Sequence, residues 1–138
     1  MKPILDERGS VALELALFTP VLIMLMLLVV FAGRLSSART DVVSAAKDAA
    51  RAASIRDDPA TAARDARSAA RAAIDEGSLA CASLDVAVDT SRLRPGGVAR
   101  VQLTCVASLA DLSLLGVPGS KSISASATEP IDRFRSQP

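Results

Sequence analysis

The chain has 138 residues, a net charge of +1 and a mean hydropathy of +0.34, with half of its residues hydrophobic but only 2% aromatic. It has no His and two Cys, which argues against His-based acid–base or nucleophile systems and against most zinc and haem sites. The near-neutral charge argues against nucleic-acid binding, and the Ala-rich composition implies a thin core outside the longest apolar run. No cofactor, metal or small-molecule substrate is expected, and the chain is not expected to be an enzyme.

That run extends from Val11 to Ala32 and is interrupted by Glu14, Thr19 and Pro20. At about 1.5 Å per residue it is long enough to cross a bilayer core. It exceeds the 7–15 residues usual for the core of a cleaved secretory signal, although small residues at Ser36-Ser37-Ala38 leave cleavage after Ala38 open. Charge does not fix the orientation, because Lys2 and Arg8 precede the run and Arg34, Arg39 and Lys47 follow it.

Glu14 stands four residues into the run, and no Lys or Arg lies between residues 10 and 33 to neutralise it within the chain. It lies at headgroup level, or else it takes a positive partner from another chain or from a new N-terminus. A short charged leader ends at Glu7-Arg8-Gly9, and Ser10-Val11-Ala12-Leu13-Glu14 follows. This resembles the type IV prepilin signal, in which a peptidase cuts after Gly and leaves Glu as the fifth mature residue. Cleavage between Gly9 and Ser10 would place a free α-ammonium on Ser10. Paired with Glu14 of an adjacent subunit in a low-dielectric setting, that ammonium sets helix register. Pro20 is expected to break or kink the helix.

The string from Arg8 to Ala16, with Pro20, the aliphatic stretch and Gly33-Arg34, resembles more narrowly the TadE-like pseudopilins of tight-adherence (Tad/Flp) pilus systems. Ser124-Ala125-Ser126-Ala127-Thr128 resembles their closing strand. Leu15 follows Glu14 where a major Flp subunit usually carries Tyr, which points away from the major subunit. The resemblance implies a bacterial cell-membrane protein with one span, possession of a prepilin peptidase partner, and assembly with other pilin or pseudopilin subunits and Tad assembly proteins.

Residues 38–56 contain neither Gly nor Pro and place Val42, Ala46, Ala49 and Ala53 at helical spacing. Asp57-Asp58-Pro59 ends that helix and starts another, with Asp58 as cap, which stops at Gly77. Its small face is expected to be Ala62, Ala66, Ala69 and Ala73. Seven basic and seven acidic residues between Arg39 and Glu76 cancel, with Asp48–Arg51 and Arg71–Asp75 as expected local pairs.

Beyond Gly77 the pattern alternates. Leu84, Val86 and Val88 form one strand, Arg94-Pro95-Gly96-Gly97 a turn, and Val98 to Ala107 a second strand with Val101, Leu103 and Cys105 on one face. A short helical turn or apolar loop is expected over Leu109–Leu115, and a third strand over Ser122–Thr128. Cys81 and Cys105 flank the first hairpin, either as a disulfide or as two free thiols. A disulfide favours an extracytoplasmic C-terminal domain with the leader in the cytoplasm.

The expected fold is α+β: a long N-terminal membrane or pilin-like helix, Ala-rich helices, then a small antiparallel sheet of about three strands. The expected organisation is leader 1–9, membrane helix 10–34, Ala-rich helices 35–77, β domain 78–130 and polar tail 131–138. Two functions compete. One is a minor pilin or pseudopilin acting in attachment or secretion. The other is a membrane-anchored or secreted adaptor in which Gly9 and Glu14 have no special role.

Overall fold

The computed structural model describes residues 7–110 and 118–134, with side chains described from residue 13. The fold is α+β, as the sequence predicts. Helix α1 spans Glu7–Ser54 and α2 spans Pro59–Glu76; strands β1 (Cys81–Asp89), β2 (Val98–Ser108) and β3 (Ser120–Pro130) follow. The strands form one antiparallel meander in the order β1-β2-β3.

At 48 residues α1 is about 72 Å long. The membrane segment and the first Ala-rich helix are therefore one element, and the division drawn at residues 34 and 35 is one of burial. Nothing between Val21 and Ser54 stops a helix, and α1 also continues through Pro20. The Ser54 hydroxyl donates to the Arg51 carbonyl at 2.9 Å near its end. Asp58 then caps α2, its carboxylate accepting the Thr61 N–H at 2.7 Å, and Pro59 at the first helical position lacks only an N–H that has no helical partner there. At the far end the Gly77 N–H donates to the carbonyls of Ala73 and Ile74.

Only the second part of α1 is packed. Ala38, Val42, Ala45, Ala46, Ala49, Ala50 and Ala53 are buried between α2 and the sheet, where α1 lies against β2 and β3. Alanine makes this arrangement possible, because its single methyl lets two neighbours approach one helix closely. The sheet contributes Ala99, Val101, Leu103, Cys105 and Ala107 from central β2 and Ile123 from β3.

Several local expectations change. The inner row of α2 is Ala62, Ala66, Ala70 and Ile74, while Ala69 and Ala73 are only half-buried at its margin. Ile74 is the one bulky aliphatic residue of α2, and burying it turns its own row inward. The expected pairs within helices give way, among the described residues, to Arg56 reaching across to Asp65 at 2.7 Å, with Arg64 3.5 Å from the same carboxylate. All three strands are longer than the alternation indicates. Ile131, assigned to a polar tail, is buried and exchanges backbone hydrogen bonds with Gly96 and Gly97. Of the turn expected over Leu109–Leu115, Leu109 and Ala110 are helical, and residues 111–115 lie outside the described residues. So do leader residues 1–6 and tail residues 135–138.

Cys81 and Cys105 form a disulfide with a Cα–Cα separation of 5.5 Å. A register shift between Cys81 and Ser83 accounts for the geometry. In a regular strand Cys81 and Leu84 point to opposite faces; one extra residue puts both toward the core, with Cys105 opposite Leu84.

Candidate functional site: the bare half of helix α1

From Leu13 to Val30, α1 is apolar around its circumference except for Glu14 and Thr19, and it is exposed except at half-buried Leu27. Leu13, Leu17, Met24, Met26 and Val29 are each about 70% exposed, and Leu15, Phe18, Leu22 and Ile23 are more than half exposed. In water such a cylinder is unstable unless lipid or other helices cover it. Among the described residues α1 is the one helix long and apolar enough to cross a membrane, and its apolar window is wholly unburied. Packing begins at Phe31 and Leu35, which touch the edge of the core.

The sequence-predicted processing, register and kink residues, Gly9, Ser10, Glu14 and Pro20, belong to this end. The Gly9–Ser10 peptide bond lies in the first turn of α1, where the leading N–H groups have no helical acceptor. Glu14 is exposed one turn further on. Arg34, the next basic residue, is twenty positions away, about 30 Å along the axis, so it does not neutralise Glu14. The Thr19 hydroxyl donates to the Leu15 carbonyl at 2.6 Å, which keeps it internally satisfied on an apolar helix. Pro20 removes the N–H that the Ala16 carbonyl would otherwise accept. The disulfide lies in the packed head, far from these groups in sequence, and braces β1 and β2.

At the foot of the head, α1 and the connection between α2 and β1 enclose a cleft of about 400 Å³. Val30, Gly33, Arg34 and Ser37 line one wall, and Ser78 and Leu79 the other. Gly33 and Arg34 are legible in the sequence as the end of the apolar run, but their juxtaposition with Ser78 is a product of the fold.

The segment that carries these features is also the one with recognisable relatives. Residues 9–51 match the TadE-like protein family model. The match begins at the Gly of the expected cleavage site and ends three residues before α1 does, which agrees with the resemblance seen in the sequence. It covers the bare half of the helix and the buried stripe as far as Ala50. No curated protein and no solved structure matches the chain. The TadE-like segment is thus helical throughout, and α2 with the sheet is a cap folded onto its second half.

Proposed function

We propose that this chain is a TadE-like minor pilin or pseudopilin of a Tad/Flp pilus or related secretion system, with a structural role and no catalysis. In this reading a prepilin peptidase removes the leader after Gly9. The bare half of α1 holds the protein in the bacterial membrane with its N-terminus cytoplasmic and its disulfide-braced head outside. The same half later packs among the helices of other pilin subunits and Tad assembly proteins. The observation that carries this reading is the coincidence of the TadE-like match with an exposed apolar half-helix joined without interruption to a folded head. The Ser10 α-ammonium of one subunit pairs with Glu14 of the next, so two charges that are unfavourable singly in an apolar bundle become a register device.

The test is the N-terminal sequence and intact mass of the protein from native membranes. A chain that starts at Ser10, with its disulfide intact, is expected. A start at Met1 or Lys2 would reduce the protein to a plain membrane anchor, and a start at Arg39 would make it a secreted domain unrelated to pili.

A further inference from the structure

We propose that the cleft at the foot of the head seats the head group of one phospholipid from the adjoining leaflet, preferentially one with an ammonium group. This rests on the reading of α1 as a membrane span. Arg34 is the first charged residue after the apolar run, so its guanidinium stands at the level of the lipid phosphates. The cleft has an apolar foot and a polar upper part. Val30 is only 38% exposed, against 70% for its neighbour Val29, and Leu79 is buried opposite. Above them Arg34 and Ser37 line the cleft, residue types whose side chains bind a phosphodiester. Ser78, on the other wall, donates to the Asp41 carboxylate at 3.1 Å. Asp41 is two turns above Arg34 on the same helix face, about 10 Å along the axis, which puts a negative charge outward of the phosphate position. A positive charge low and a negative charge high complement a zwitterionic phosphoethanolamine head better than an anionic phosphoglycerol one.

Gly33 gives a second, independent indication. Glycine inside a helix weakens it and calls for a local reason. At Gly33 the reason is not packing, because an added Cβ meets nothing within 4 Å. The position opens into the cleft, so its bareness leaves the helix backbone open to a ligand.

The experiment uses the full chain extracted from membranes in mild detergent and analysed by native mass spectrometry. Phosphatidylethanolamine or phosphatidylglycerol is added in turn. One phosphatidylethanolamine per chain is expected, retained in preference to phosphatidylglycerol. Arg34→Gln should weaken retention about tenfold. Gly33→Leu should fill the cleft and abolish retention while the thermal midpoint of the head stays at the wild-type value. Absence of a one-to-one lipid, or full retention in both variants, overturns the proposal. So does crosslinking that places a second copy's helix in the cleft. A wild-type chain released by alkaline carbonate would instead refute the membrane span on which the proposal stands, whereas a retained chain without lipid refutes the lipid site alone.

Discussion

Leu103 is the largest fully buried side chain among the described residues, in the middle of β2 between Val86 and Ala125 and within a core cluster made mostly of alanines. Alanine neighbours have no side-chain freedom with which to close a hole. Leu103→Ala should therefore fall in the usual range for such truncations, a loss of about 2–5 kcal/mol, read by urea unfolding of the head. Asp58 acts by hydrogen bonding. The Thr61 backbone N–H beside it holds its carboxyl below the ordinary value of 3.8. A carboxylate whose pKa is lowered in the folded state adds stability above its unfolded pKa, and that contribution is lost as pH falls through the folded value. Asp58→Ala should accordingly lower the thermal midpoint at pH 7 and leave a smaller further loss as the pH falls below the ordinary carboxylate range. Glu14 contributes nothing to the fold, being exposed on the bare half of α1. Glu14→Ala should leave the head folded and the chain inserted while abolishing assembly; filaments of normal abundance in that variant would disprove the pairing with Ser10.

Each element of the head is weak alone. α2 places only Ala62, Ala66, Ala70 and Ile74 in the core, and β3 contributes Ile123 with half-buried alanines. The disulfide compensates by restricting the unfolded chain. With a separation of 24 residues, it contributes about 3–3.5 kcal/mol on the chain-entropy model. Reduction should lower the head's urea midpoint by a corresponding amount, with β1 exchanging its amide hydrogens before β3, because both are edge strands but only β3 lies against α1 and only β1 loses its crosslink. At the scale of elements, local pattern and tertiary packing differ. Alternation located each strand but underestimated its length, because strand ends such as Ser120-Lys121 carry no apolar signal and are held by pairing with Ala107 and Ser108. The row 62-66-69-73 and the row 62-66-70-74 are both helical spacings. Only the partner surface, which accepts Ile74, chose between them.

For the whole molecule, the consequence of one unbroken α1 is mechanical. The head is not tethered by a linker; it is built around the upper part of the same rod whose lower part is bare. Force or rotation applied to the lower part therefore reaches the head directly. Leu22 lies near the middle of the apolar run, and Leu22→Arg should reduce insertion by about 3–4 kcal/mol on the translocon scale, measured as the fraction of chain resisting carbonate extraction. Because Leu22 touches nothing in the head, the variant's disulfide and head stability should be unchanged.

Composition, the apolar run and the turn residues were enough to establish an α+β chain with a bilayer-length helix, a helix break at Asp58-Pro59 and an antiparallel sheet. These follow from local rules, which need only neighbouring residues. The string from Arg8 to Ala16, with Pro20 and the aliphatic stretch, likewise pointed to the family whose model matches residues 9–51, because such a motif is a matter of order along the chain. Tertiary structure decided the rest. It fused the membrane segment with the first Ala-rich helix, turned Ile74 inward, drew Ile131 onto the turn at Gly96-Gly97, and brought Arg34 and Ser78 to one cleft. Each of these depends on surfaces distant in sequence, and alanine-rich faces, nearly alike on every side, leave that choice to the packing partner.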